Sequence, residues 1–135
     1  MILVDTNVVI GVIARRPLSL RERLIETLSS GATVGVSTVV LFELRYGIAK
    51  SERRDANAAA LQAFLSLPIT QLAFDPEDAA AAGDIRARLE RAGIPIGHYD
   101  LLIAGQALHR GATLVTANGR EFRRIPDLTV EDWTV

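Results

Sequence analysis

The chain has 135 residues, a hydrophobic fraction of 49% and a formal net charge of −1. This length predicts one domain, residues 1–135, large enough to bury a core. No apolar run approaches the roughly 20 residues of a membrane span, and the N-terminus lacks the basic region and cleavage site of a signal peptide. The absence of cysteine excludes disulfides and thiolate metal sites. We therefore expect a cytoplasmic protein that does not enter a membrane.

The basic residues are almost all arginine, since Lys50 is the one lysine among 15 basic residues. Arginine presents a planar fork that suits phosphate groups. A GC-rich genome produces the same bias, and the net charge does not favour nucleic-acid binding. Charge alone therefore selects no function.

Hydrophobic periodicity and breaker residues divide the chain into alternating strands and helices. Ser19 and Glu22 have the spacing of a capping box, Ser37 is a candidate cap for the third helix, and Asp75 before Pro76 is a strong helix start. Asn118-Gly119 is predicted to be a turn. In chain order, strands are predicted at 1–5, 33–36, 69–74, 112–116 and 128–130, and helices at 7–14, 19–31, 38–50, 56–67, 75–92 and 100–111. This alternation predicts an α/β sandwich with a mostly parallel sheet of four to five strands, flanked by helices.

Four side chains lie where such a fold delivers ligands, beyond the carboxyl ends of the strands. Asp5 and Asn118 follow the first strand and the strand at 112–116, while Glu43 and Asp100 lie on helices that enter from the same edge. Each has an ordinary explanation when taken alone: a helix cap, a turn, a solvent-facing acid or a first-turn acid that favours the helix dipole. Together they predict one site.

Hard oxygen ligands without cysteine or a histidine pair indicate Mg²⁺ or Mn²⁺ rather than Zn²⁺. Such an ion lowers the pKa of a bound water and neutralises charge on a phosphoryl transition state. The pattern therefore predicts hydrolysis of a phosphodiester. A phosphatase of the haloacid dehalogenase type would need a second aspartate where this chain has Asn7. A receiver domain would need a lysine near the end of the chain, whereas the one lysine here is Lys50.

Five sequence blocks span the chain from end to end. They are Met1-Ile2-Leu3-Val4-Asp5-Thr6-Asn7, Ser37-x-x-x-x-x-Glu43-Leu44-x-Tyr46-Gly47, Pro95-x-Gly97-x-Tyr99-Asp100-x-x-Ile103-Ala104, Val115-Thr116-x-Asn118-x-Arg120-Glu121-Phe122-x-x-Ile125-Pro126 and Val130-Glu131-Asp132-Trp133. In sequence and in order, these blocks resemble those of the PIN-domain nucleases, and among them the VapC-type toxins.

The resemblance implies a PIN-like three-layer α/β sandwich and a Mg²⁺-dependent endoribonuclease, with Mn²⁺ as a substitute ion. Asp5 and Asp100 would bind the metal, and Glu43 and Asn118 would complete the catalytic set. A further group would orient carboxylates and waters, namely Thr6, Asn7, Ser37 and Thr116.

The same resemblance implies partners. VapC-type toxins are typically homodimers, each inhibited by a VapB-type antitoxin, and operator DNA is bound only through the antitoxin. Their usual target is structured RNA, often tRNA, and the variant most similar to this chain is associated with the anticodon region of initiator tRNA.

Asn118 is a departure, because many PIN domains carry a fourth acid at this position. An amide binds water or metal through its carbonyl oxygen but contributes no charge, so we expect one tightly held ion rather than two. Glu121 is interpreted as a surface residue of the following turn. The alternative function is a catalytically silent PIN-fold protein that binds RNA or the antitoxin; the intact Asp5, Glu43 and Asp100 argue against it.

Overall fold

The computed structural model of the protein describes residues 1–135 and has a five-stranded sheet in the order β3-β2-β1-β4-β5. All four strand pairs are parallel, and helices flank the sheet. The predicted α/β class and parallel sheet are confirmed. The strands are β1 Ile2–Val4, β2 Val34–Ser37, β3 Ile69–Leu72, β4 Thr113–Val115 and β5 Val130–Glu131, and the helices are α1 Thr6–Ala14, α2 Leu18–Ser29, α3 Thr38–Lys50, α4 Arg54–Leu65, α5 Pro76–Arg91, α6 His98–His109 and α7 Gly119–Phe122.

The strand order places a topological switch point between β1 and β4. The chain leaves β1 toward β2 and β3 on one side, then crosses back to form β4 on the other side of β1. Connections that diverge in this way leave a crevice at the carboxyl ends of the two strands, where ligands bind in open α/β sheets. Asp5 follows β1 and Thr116 follows β4 at this crevice.

The centre of the sheet is buried, as expected of a parallel sheet with helices packed on it. All residues of β2 are buried, and the hydrophobic core is one cluster of 27 buried residues from strands and helices. No helix combines the length and the apolar character that a membrane span requires.

The predicted caps of α3 and α5 are both present. The Ser37 hydroxyl accepts a hydrogen bond from the Val39 amide at 3.1 Å. At α5, the side chains of Asp75 and Asp78 each accept a hydrogen bond from the other residue's amide, which satisfies two amides of the first turn.

The predicted capping box at Ser19 is wrong. Helix α2 begins at Leu18 with Pro17 as its N-cap residue, so Ser19 is already inside the helix. Its hydroxyl donates instead to the Trp133 carbonyl at 3.0 Å, which ties the helix to the C-terminus. A long-range partner has displaced the local cap, and Trp133 is buried beside it, 1% exposed.

The predicted turn at Asn118-Gly119 is the start of a short helix. Asn118 is the N-cap residue of α7, and Phe122 at the end of this helix is completely buried. Burial of the Phe122 ring is a tertiary contact that favours the helical conformation of this four-residue segment. Local turn propensity does not include this contribution.

Helices α5 and α6 approach closely at Gly105. A Cβ atom at this position would lie 2.6 Å from the Ala82 Cβ and 2.6 Å from the Ala82 backbone nitrogen. We expect Gly105→Ala to lower the free energy of unfolding by about 1–3 kcal/mol, because the two helices must separate. Gly83→Ala on the exposed side of α5 meets no atom within 4 Å and is the matched control, with a gain of about 0.5–1 kcal/mol. Urea denaturation of both variants measures the difference, and equal stabilities would contradict the close packing.

Candidate active site

Asp5 is a buried carboxylate held at the end of β1. It is 6% exposed and caps α1, with Oδ1 accepting from the Val8 amide at 3.0 Å. Its Oδ2 accepts a hydrogen bond from the Thr116 hydroxyl, which lies at the end of the neighbouring strand β4. The sequence order strand, Asp, helix therefore gives Asp5 both a cap function and a fixed orientation at the switch point.

Glu43 faces this region from the middle of α3. The Thr6 hydroxyl, in the first turn of α1, donates to Glu43 Oε1 at 2.7 Å. Thr6 directly follows Asp5. The end of β1 therefore supplies one carboxylate of the site and, at the next residue, the hydroxyl that holds the Glu43 carboxylate. Glu43 is half-buried rather than solvent-facing.

Asp100 completes the cluster from the first turn of α6. Burial, followed by the nearby charges of Glu121, Glu43 and Asp5, raises the pKa of Asp100 to about 6. Burial also raises the pKa of Asp5, with a further contribution from the charge of Glu43 and despite the hydrogen bonds from Thr116 and Val8. The structure therefore brings residues from positions 5 to 121 into one electrostatic cluster.

Glu121 is the member that sequence reasoning missed. Its interpretation as a surface residue of a turn is wrong, because the side chain is half-buried on α7 and its charge raises the pKa of Asp100 more than those of Glu43 and Asp5. The Asn118 side-chain amide donates to Glu121 Oε2 at 3.1 Å, and the Asn118 backbone amide donates to the Thr116 hydroxyl at 2.9 Å. The spacing of three residues between Asn118 and Glu121 was the one sequence signal for this contact. Such a spacing brings two side chains together only when the segment is helical.

The remaining predicted side chains are less closely connected to the carboxylates. Asn7 is exposed and makes no side-chain hydrogen bond to them, and the Ser37 hydroxyl is used as the cap of α3. Of the four supporting residues proposed from the sequence, Thr6 and Thr116 are the two that hydrogen-bond to a cluster carboxylate.

A second acidic group lies elsewhere, at the start of α5. Atoms of Asp75, Asp78 and His109 come within 4.8 Å of one another. Arg110 already supplies a cation here, with Nη2 at 3.0 Å from Asp78 Oδ2, 3.3 Å from Asp75 Oδ2 and 3.0 Å from the Ala73 carbonyl. This group is a partly exposed ion-pair network around the buried Asp78, and it joins α5 to α6.

The cluster at the switch point differs because its negative charge has no cationic partner. Neither Asp5, Glu43, Asp100 nor Glu121 forms a salt bridge. The ligand atoms of Asp75, Asp78 and His109 all lie within 4.8 Å of one another, whereas the carboxylate oxygens of Asp5, Glu43 and Asp100 are more widely spaced. An all-oxygen donor set with uncompensated negative charge fits a hard divalent cation that retains several waters. The donors present therefore fit a Mg²⁺-type ion.

Fold and site together define a PIN domain, and the PIN-domain family model matches residues 2–128. Ribonuclease VapC2 of Rickettsia felis is 40% identical over 131 residues, covering 97% of this chain and 96% of the relative. The tRNA(fMet)-specific endonuclease VapC of Shigella flexneri is 42% identical over 132 residues, covering 98% of this chain and 97% of the relative. Among solved structures, that of VapBC2 from Rickettsia felis bound to a DNA fragment from their promoter superposes with a TM-score of 0.91 at 38% identity, covering 98% of this chain and 99% of that one.

The chain belongs to the VapC family of PIN-domain ribonucleases. This confirms the family, the fold and the enzyme class that the sequence blocks predicted. The nucleases of this fold use divalent metals, in agreement with the chemistry of the donor set described above.

Proposed function

We propose that this chain is the toxin of a toxin–antitoxin pair and a Mg²⁺-dependent endoribonuclease that hydrolyses phosphodiester bonds in structured RNA. The observation that carries the proposal is the group of carboxylates at the β1/β4 switch point, which no cation of the chain neutralises. We further propose tRNA as the substrate, with the anticodon region of initiator tRNA as the first candidate. The name of the 42% identical relative supports this choice.

Asp5 and Asp100 are the proposed metal ligands, and Glu43 completes the acidic pocket. The bound ion would lower the pKa of a water molecule and neutralise charge on the phosphoryl group. Thr116 and Val8 fix the Asp5 carboxylate, and Thr6 fixes that of Glu43. Their contribution is to hold the ligand oxygens in one orientation before substrate arrives.

Asn118 has an indirect role in this proposal. Its side-chain amide is used to hold Glu121, so Glu121 rather than Asn118 supplies negative charge on the α7 side of the pocket. We retain one tightly bound ion. Two fully occupied Mn²⁺ ions about 3.5–4 Å apart in a crystal with a substrate analogue would overturn this part of the proposal.

Thr116→Val is expected to raise the Mg²⁺ concentration for half-maximal cleavage about 10- to 100-fold. The substitution keeps the shape of the side chain but removes the hydroxyl that donates to Asp5 and accepts from the Asn118 amide. Thr116→Ser retains the hydroxyl and is the control. Titration of activity with Mg²⁺ measures the change, and identical titrations for Val and Ser would show that the hydrogen bonds are dispensable.

We propose a VapB-type antitoxin as the protein partner, with residues 1–135 acting as a single PIN domain. A groove of about 380 Å³ between α1, α3 and α4 supports this, because most of its lining is apolar, with Glu43 and Asn57 also on its wall. An amphipathic segment would suit such a groove. We also propose a homodimer in the cytoplasm that contacts operator DNA only through the antitoxin.

Two measurements test the partner proposal. Purification of the tagged chain from its native host should yield a small co-purifying protein, and light scattering of the separated toxin should give twice the monomer mass. Ile13→Asp, inside the groove, should release the partner, whereas Ile25→Asp on the exposed face of α2 should not. Retention of the partner by Ile13→Asp would remove the groove from the proposal.

The catalytic proposal is tested by cleavage of total cellular RNA with Mg²⁺ and by mapping of the cut sites. Discrete cuts within a tRNA are expected, and EDTA should abolish them. The silent alternative predicts RNA binding without cleavage at millimolar Mg²⁺ or Mn²⁺, and no structural observation favours it.

A further inference from the structure

Two aromatic rings stand in contact at the rim of the carboxylate cluster. Phe42 and Tyr99 have ring centroids 5.5 Å apart and planes inclined at 50°, yet each residue remains about half exposed, 53% and 47% respectively. Burying an aromatic ring is strongly favourable. A pair left exposed beside a functional site is therefore a candidate contact surface.

The positions of the rings connect them to the site. Phe42 directly precedes Glu43 on α3, and Tyr99 directly precedes Asp100 on α6. Consecutive Cα atoms are about 3.8 Å apart, and consecutive side chains differ by about 100° around a helix. Each ring therefore lies beside, rather than inside, the pocket formed by the carboxylates.

The exposed aromatic surface continues along α3 away from the pocket. Tyr46 follows Phe42 by four residues, is 59% exposed, and carries Lys50 with Nζ 4.8 Å from the ring centroid. Residues four apart share one face of a helix. One face of α3 thus presents ring, ring and ammonium in sequence, leading away from Glu43.

We propose that Phe42 and Tyr99 form a stacking platform for an unpaired nucleobase of the RNA next to the cleaved phosphate. This inference rests on the proposed endoribonuclease function. The carboxylate cluster repels phosphate, so substrate affinity must come from contacts beside it as well as from the metal. Sequence-selective proteins stack unpaired RNA bases on aromatic side chains, and both aromatic residues here are about half exposed next to the pocket. Lys50 then lies on the same face of α3 to meet a phosphate farther along the strand.

Leucine substitutions remove the flat ring but keep an apolar side chain. We expect Phe42→Leu and Tyr99→Leu each to raise KM for an RNA stem-loop containing the cut site about 10-fold, with kcat little changed. Tyr99→Phe should behave as the wild type, because the ring is retained. Ile25→Leu, an exposed apolar position on α2, is the control for surface effects. Unchanged KM in both leucine variants, or equal losses in Tyr99→Phe and Tyr99→Leu, would overturn the platform.

An abasic substitution series locates the base. Removing one base next to the cut should raise KM in the wild type but cause no further loss in Tyr99→Leu, since the two changes delete the same contact. Fully additive losses would overturn the proposal, as would conversion of a dimer to a monomer by Phe42→Leu, which would assign the rings to a second copy of the chain.

Binding keeps this inference separable from the proposed function. In an Asp5→Asn background, a stem-loop with 2-aminopurine at the implicated position should lose fluorescence when it binds, and Tyr99→Leu should restore the signal at saturation. That result supports the platform even if the wild type proves catalytically silent. RNA binding without quenching of the 2-aminopurine fluorescence would overturn the platform but would not contradict the proposed cleavage activity.

Discussion

Asp5→Asn and Asp100→Asn should each reduce kcat/KM for RNA cleavage by about 1000-fold or more. Each substitution keeps the size of the side chain but removes one of the charges that hold the proposed ion. Metal-based charge stabilisation contributes several kcal/mol to a phosphoryl transition state, and each 1.36 kcal/mol corresponds to a factor of ten in rate. Single-turnover cleavage of a purified tRNA at saturating Mg²⁺ measures the loss.

Asp84→Asn is the matched control, because Asp84 is an exposed acid on α5, outside the cluster. Its activity should equal that of the wild type. Circular dichroism should show that all three variants are folded, since an aspartate-to-asparagine change is nearly isosteric. Activity within about tenfold of the wild type in either site variant would contradict the assignment of that residue as a metal ligand.

Asp100→Asn is also expected to stabilise the metal-free protein at neutral pH. The pKa of Asp100 is raised from 3.8 to about 6, so the folded state holds this proton more tightly than the unfolded state. This tighter proton binding contributes to the free energy of unfolding. The contribution is fully present below pH 3.8 and is lost as the pH rises through about 6. Asparagine stays neutral, so the variant avoids this loss.

Thermal unfolding in EDTA across this pH range tests the prediction. The difference in Tm between Asp100→Asn and the wild type should be near zero at pH 4 and should grow to about 3 °C or more at pH 7. Asp84→Asn corrects for general charge effects. Adding Mg²⁺ or Mn²⁺ at pH 7 should raise the Tm of the wild type but not that of Asp100→Asn, because the ion binds the native state through this carboxylate. A Tm difference that is independent of pH would contradict the uncompensated cluster, and a wild-type Tm unaffected by metal would exclude a preformed site.

The sequence was sufficient for the parts of the fold that local patterns control. Asp75 before Pro76 marks a helix start because the cap, the fixed proline dihedral and the first-turn acids all act within four residues. Asp5 and Glu43 were likewise predictable as site candidates, since a charged residue at the edge of an apolar segment is costly without a partner. The alternation of strands and helices along the chain then predicted that they meet at the carboxyl ends of the strands.

The parts that failed depend on contacts between distant residues. The Ser19 hydroxyl is bound by the Trp133 carbonyl, 114 residues away, and no local pattern at Ser19 contains that partner. Glu121 was misplaced because it lies on a short helix, α7, whose Phe122 is buried in the core, and this burial is not visible in the local sequence. The platform residues Phe42 and Tyr99 could not be paired from the sequence, because their contact depends on how α3 packs against α6.

The central claim is that the carboxylate cluster is the active centre of a metal-dependent endoribonuclease. Incubating purified, antitoxin-free protein with total cellular RNA and Mg²⁺, beside Asp5→Ala and Asp100→Ala, tests it most directly when the cut sites are mapped by sequencing. We predict discrete cuts in a tRNA that disappear in both variants and in EDTA. Cuts that persist in the variants, or a folded wild-type protein that cuts no more than they do, would contradict the claim.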